Sequence, residues 1–144
     1  MGDDARFLET LREERAIMDT LHQYCHAVDY GLEDAYVGAF TDDAVFDVRK
    51  PTGETLHREV GRDELAAYLA KYPKPPSRYN KHFMMDPMIE LDDDSATVHS
   101  YFLAMRNGDD NKPVVGSFGR YIDRLVKVDG RWRIAERIAE VEAS

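Results

Sequence analysis

Apolar residues along the first third of the chain recur with helical spacing. Met18, Leu21, Cys25 and Val28 stand at i, i+3, i+7 and i+10, and Ile17 and Tyr24 widen the stripe. Glu13, Glu14, Arg15, Asp19 and Gln23 occupy the other face, and Gly31 is placed to stop the helix. A short second helix is expected next, with Leu32, Ala35, Tyr36, Ala39 and Phe40 apolar, broken by Thr41-Asp42-Asp43. Residues 44–48 then read as a strand, Pro51-Thr52-Gly53 as a turn, and the segment through Val60 as a second strand. A third helix is expected over 62–72, with Leu65, Tyr68 and Leu69 on one face. The run Pro73-Lys74-Pro75-Pro76-Ser77 ends it, because proline cannot continue a helical ladder. Beyond that point the period changes to two. Strands are predicted at 79–91, 96–106, 114–128 and 131–141, separated by Asp92-Asp93-Asp94, by the polar run from Asn107 to Asn111, and by Asp129-Gly130.

Helices first and a long meander afterwards imply an α+β fold with an antiparallel sheet, which can curl around the helices and enclose an apolar pocket. Nothing in the pattern marks a repeat or a break, so residues 1–144 read as one domain. Hydrophobic residues at 43% and charged residues at 33% are an ordinary globular balance. The net charge of −9 argues against nucleic acid or an anionic membrane as partner, since both require a basic face. No apolar run approaches a membrane span of roughly 18 residues. The acidic opening lacks the apolar stretch of a signal peptide. Cys25, the one cysteine, excludes an internal disulfide and suits a reducing compartment, so a cytoplasmic location is expected.

Two strings near the start, Tyr24-Cys25-His26-Ala27-Val28-Asp29 and Phe40-Thr41-Asp42-Asp43-Ala44-Val45-Phe46, resemble the opening of SnoaL-like proteins. The ending is similar too: Gly119-Arg120-Tyr121-Ile122-Asp123, then Asp129-Gly130-Arg131-Trp132-Arg133-Ile134 and Arg137. The likeness runs from Arg12 to Glu140. It implies the cone-shaped NTF2-like fold, three helices packed on a strongly curved, mostly antiparallel sheet. The strings are specific for that fold in their order and spacing, and not for an activity. The superfamily holds dehydratases, dehydrochlorinases, isomerases, polyketide cyclases, epoxide hydrolases, dioxygenase small subunits and non-enzymatic binders, so function has to be argued from the site.

Asp29 and His82 are the leading candidates for chemistry. Asp29 falls at the C-terminal end of the long helix, where the macrodipole disfavours a carboxylate until a donor meets it. His82 opens the first long strand, in Lys81-His82-Phe83. A histidine with one nitrogen held by an aspartate can use the other as a general base near neutral pH. In the dehydratases and dehydrochlorinases that this chain resembles, residues at these two positions form such a dyad. The resemblance to bile-acid 7α-dehydratases adds Tyr24, assisting at the leaving group or substrate oxygen, and Arg137, supporting the pocket electrostatically. Each also has a plain reading: Tyr24 as a core aromatic on the helix stripe, and Arg137 as a partner in an ion pair. Dehydrochlorinases carry a basic residue where this chain has Tyr24, so halide elimination fits less well.

Other features add little chemistry. His99 does not match the two-histidine spacing of scytalone dehydratases, and it is read as a pocket-lining or interface residue. Its strand alternates Ala96, Val98, Ser100 and Phe102 against His99, Tyr101, Leu103 and Met105, without fixing which set points inward. His22 and His26 stand at i, i+4 but have no third ligand in view, and Asp92-Asp93-Asp94 lacks the glycine and glutamate of a calcium loop. No phosphate loop or nucleophile elbow occurs. No cofactor and no metal are expected. The expected activity is a cofactor-independent lyase of dehydratase type, or an isomerase, acting on a hydrophobic polycyclic or aromatic molecule by Asp–His proton abstraction. The alternatives are a non-catalytic small-molecule-binding or accessory domain, and a polyketide cyclase. Bulky residues on both faces of the 96–106 strand call for a second covering surface, so a homo-oligomer, dimer or trimer, is expected.

Overall fold

The computed structural model describes residues 2–144, so of the expected domain only residue 1 lies outside the described residues. Helix α1 (Asp3–Tyr30) is followed by α2 (Glu33–Gly38), β1 (Phe40–Arg49), β2 (Thr55–Val60), α3 (Gly61–Lys71) and four long strands. These are β3 (Asn80–Asp92), β4 (Ser95–Asn107), β5 (Pro113–Val128) and β6 (Arg131–Ala143). The sheet runs β2-β1-β6-β5-β4-β3, and every neighbouring pair is antiparallel except β1 with β6. Three helices on a curved, mostly antiparallel, six-stranded sheet make the expected α+β cone.

The long helix obeys its apolar stripe only in its second half. Ile17, Leu21, Tyr24, Cys25 and Val28 are buried, whereas Phe7, Leu8 and Leu11 stand exposed. Two polar clamps set where packing begins. Glu13 accepts from the Trp132 indole at 2.6 Å and from Lys127 at 2.8 Å, and the Thr20 hydroxyl donates to the Trp132 carbonyl at 2.7 Å. Gly31 ends the helix in the left-handed region (φ 67°), donating its N–H to the Ala27 carbonyl as a C-terminal glycine does.

The hairpin turns behave as their residues require. Asp129 and Gly130 both take positive φ (51° and 77°), the geometry of a type I′ turn. Gly119 has a steric reason. It lies at a register shift between β5 and β6, and a side chain there would drive into the Glu140 carbonyl oxygen and touch the Phe102 ring. On β4, Ala96, Val98, Ser100 and Phe102 are the buried set, and His99 and Tyr101 are exposed on the outer face.

One boundary differs from the sequence reading. Thr41-Asp42-Asp43 does not break a helix that includes Phe40; helix α2 already ends at Gly38, and the triplet lies inside β1. A register shift between Phe40 and Val45 lets the strand carry these polar residues out of the β6 ladder.

Candidate active site

Asp29 is carried by the last turn of α1 and His82 by the start of β3. The helix end delivers the carboxylate to the strand, and both its oxygens are used. Oδ1 lies 2.5 Å from His82 Nδ1, and Oδ2 accepts the His82 backbone N–H at 2.9 Å. No basic residue occupies the last turn of α1, so these two donors are what offset the unfavourable helix-end field. The carboxylate is buried and the imidazole nearly so, with side-chain exposures of 5% and 10%. With Nδ1 committed to the carboxylate, the ring's Nε2 remains for the cavity that His82 lines.

That cavity measures about 120 Å³. Six aromatic side chains encircle it in a closed circuit: His82, Tyr24, Phe46, His57, Tyr68, Tyr72 and back to His82. Successive ring centroids are 6.5, 6.1, 6.4, 5.0, 5.8 and 6.1 Å apart. Val28, Val48, Phe102, Tyr121, Ala139 and Val141 fill much of the remaining wall. The circuit draws on α1, β1, β2, α3, the segment just after α3, and β3, so no single stretch of sequence displays it.

Tyr24 lines the cavity, and burial holds its phenol well above the usual range, with the nearby Tyr121 adding to the effect. It is therefore a protonated hydrogen-bond donor throughout the neutral range. Arg137 is not on the cavity wall, from which direct support of the pocket would come, and takes its plain reading, an ion pair. It is fully buried one layer behind, with Nε and Nη2 donating to the two oxygens of Asp123 at 2.7 and 2.8 Å. Its guanidinium carbon sits 4.2 Å from the Tyr24 ring centre and 3.8 Å from that of Tyr121. Burial alone would lower its pKa, but the Asp123 carboxylate more than reverses that and keeps it charged. The physical reason for the correction is register. Arg137 and Asp123 face each other across β5 and β6, so the nearest carboxylate claims the guanidinium.

His22, His26 and His99 are exposed, away from the cavity. No group of three or more His, Cys, Asp or Glu able to hold a metal ion occurs among the described residues. No described helix is long and apolar enough to cross a membrane. Sequence reasoning missed His57, Tyr68 and Tyr72 as cavity residues, and Asp123 as the partner of Arg137. The strand periodicity of β5 and β6 carries a signal for the last pair; nothing local carries one for the first three.

Residues 9–138 match the SnoaL-like domain model, and the chain belongs to that family. No match is found among curated proteins. Among solved structures the chain is similar to a Mycobacterium tuberculosis protein of unknown function, at 27% identity and a TM-score of 0.79, covering 99% of this chain and 77% of that one. It is also similar to a Novosphingobium aromaticivorans protein provisionally named a scytalone dehydratase, at 23% identity and a TM-score of 0.76, over 92% and 85% of the two chains. A third is ActVI-ORFA of Streptomyces coelicolor, at 20% identity and a TM-score of 0.74, over 89% and 96%. The last two likenesses, below 25% identity, concern the fold.

Proposed function

We propose that the protein is a cofactor-independent lyase of dehydratase type, acting on a small cyclic or aromatic ketone. The observation that carries this reading is the His82 imidazole, tied at Nδ1 to buried Asp29 and bordering an aromatic cavity. His82 Nε2 removes a proton from the carbon beside the carbonyl, and the carboxylate of Asp29 stabilises the imidazolium that results. Tyr24, kept protonated, donates to the oxygen that gains charge. Arg137 serves as a positioning residue, backing the Tyr24 ring rather than touching substrate. An apolar cavity of roughly 150 Å³ is known to hold benzene, and this one, at about 120 Å³, is somewhat smaller, so a single six-membered ring is the largest unit it takes and only as its walls give. Further rings of a polycyclic substrate would have to remain outside it. Isomerisation would use the same base and the same enolate.

The test uses 3-hydroxycyclohexanone, a one-ring β-hydroxy ketone, and follows the ultraviolet absorbance of the cyclohexenone formed. H82Q is expected to lower kcat/KM by about 10²–10⁴-fold, the ordinary contribution of a general base, while binding of cyclohexenone persists. Unchanged turnover in H82Q, or no turnover by the wild-type protein, would sink the reading and leave a binding domain in its place. We also propose a homo-oligomer joined through the outer face of β3, β4 and β5.

A further inference from the structure

Strand β2 is built inside out. Its apolar residues Leu56 and Val60 face solvent, at 49% and 48% exposed, while His57 and Glu59 point inward. Opposite them on β1 stand Val48 and Phe46, both part of the cavity wall. A shift of one residue would turn Leu56 and Val60 inward, with Arg58 between them, so the register chooses His57 and Glu59 over the apolar pair for the inner face. Both carry a buried atom without a hydrogen-bond partner among the described residues, His57 Nε2 and Glu59 Oε2. His57 Nε2 lies 3.8 Å from Glu59 Oε1, close but beyond hydrogen-bond length. Buried polar atoms left unpaired are destabilising, which makes a chemical use for them the economical explanation.

His57 lines the cavity; Glu59 lies behind it. In the circuit of six rings, His57 and His82 both line the cavity and are separated by three ring contacts whichever way it is followed. An elimination needs two proton sites, one taking a proton from carbon and one giving a proton to the departing oxygen.

We propose that His57 is the proton donor to the leaving oxygen, with Glu59 as the positioning residue that resupplies its proton. This rests on the dehydratase reading of the same cavity. His82 Nε2 takes the proton from the carbon beside the carbonyl, and that C–H electron pair becomes the new C=C bond. The C–O bond breaks with its pair on oxygen, and His57 Nδ1–H supplies the second hydrogen so that water leaves. Glu59 passes its own proton to His57 Nε2 as the pair closes from 3.8 Å. The protein is left with an imidazolium at His82, a carboxylate at Glu59 and the Nε2–H tautomer at His57, and proton exchange with solvent restores all three.

The protonation states suit this exchange. Burial, aided by the neighbouring Glu64 carboxylate, pushes Glu59 up to about 7, and burial lowers His57 against the opposing pull of Asp47. Tyr36 from α2 and Tyr68 from α3 also face Glu59, and burial keeps both phenols protonated. Glu59 therefore keeps its proton below about pH 7, while burial favours the neutral form of the His57 imidazole beside it.

Two leaving groups on one skeleton test the assignment. Hydroxide needs a proton to depart, whereas acetate does not, so 3-hydroxycyclohexanone is compared with 3-acetoxycyclohexanone. H57F, which keeps the ring stacked on Tyr68, and E59Q are each expected to slow loss of hydroxide by about 10²-fold or more. Loss of acetate should change by less than roughly tenfold, whereas H82Q slows both. Equal slowing of the two by H57F and E59Q would make the pair structural, no slowing would make it a bystander, and either overturns the proposal. If H82Q slows neither, the failure belongs to the dehydratase reading. Nitrogen-15 histidine spectra of the wild-type protein judge the pair without any substrate. The neutral His57 ring should carry its proton on Nδ1 while Glu59 is protonated and shift toward the Nε2–H form as Glu59 ionises, a change absent in E59Q. An Nε2–H tautomer at pH 6 overturns the proposal.

Discussion

Arg137 lies behind the cavity without lining it. Its guanidinium is wholly buried, doubly bonded to Asp123, and stacked beneath the rings of Tyr24 and Tyr121. A buried pair contributes little over a well-packed apolar one, but removing one member strands the other charge in a low-dielectric interior. D123N should therefore destabilise the fold by about 3–5 kcal/mol in urea unfolding, and the double change D123L with R137M by clearly less. If the single change were as benign as the double, Arg137 would have another counter-charge. Glu59 behaves in the opposite sense. Its folded pKa of about 7 lies above the ordinary 4.5, so the folded state holds the extra proton between those values. Stability from this group thus falls as pH rises from about 4.5 to 7, and the full penalty persists above that. E59Q should melt level with the wild type at pH 4 and increasingly above it up to pH 8. A melting difference that does not grow with pH would deny the raised pKa.

At the scale of elements, the four long strands and the helix stop at Gly31 were legible because each has a local cause. Period-two patterning fixes the strands, Asp129-Gly130 fixes a turn with two positive φ angles, and glycine tolerates the left-handed cap. The Asp29–His82 contact was legible only in part, as a carboxylate at a helix end in need of a donor. What local pattern misjudges is any element shaped by its neighbours. Thr41-Asp42-Asp43 reads as a breaker, yet the shift against β6 keeps it in a strand. Strand β2 is legible from its sequence only as a strand, and that its ionisable residues take the inner face is set by its pairing with β1. Gly119 belongs to the same class, since its need arises from Glu140, twenty-one residues on and in the adjacent strand. G119A should cost about 3 kcal/mol or more, because the obstruction is backbone and cannot swing aside. Thermal melting within a degree of the wild type would show that β5 and β6 can separate there without loss.

The whole molecule presents one face that its own helices do not cover. The helices pack inside the curve of the sheet, and the outer side of β3, β4 and β5 is left with Phe83, Met85, Met88, Tyr101, Val115 and Phe118, each at least 40% exposed. Isolated apolar residues on a surface need no explanation, but six on three adjacent strands are a concentration of the kind that marks an interaction site. Antiparallel sheets usually solvate their second face with polar residues, and in this region Lys81, His99 and Arg120 are interspersed among a larger set of apolar side chains. The acidic balance of −9 bears on the choice of partner. Like-charged copies repel at long range, so self-association through this face should tighten with salt as screening increases and apolar burial is undiminished. Replacing a central residue by a charge strands that charge in the interface at low dielectric, and in a symmetric assembly it does so more than once. Light scattering of the wild-type protein at high micromolar concentration should therefore report a dimer or trimer. Y101K should shift that mass toward the monomer while leaving the far-ultraviolet circular dichroism unchanged, because Tyr101 contributes nothing to the buried core. A wild-type monomer at that concentration would refute the prediction. An oligomer indifferent to Y101K would move the interface elsewhere, with the exposed first half of α1, bearing Phe7, Leu8 and Leu11, as the next apolar face to test.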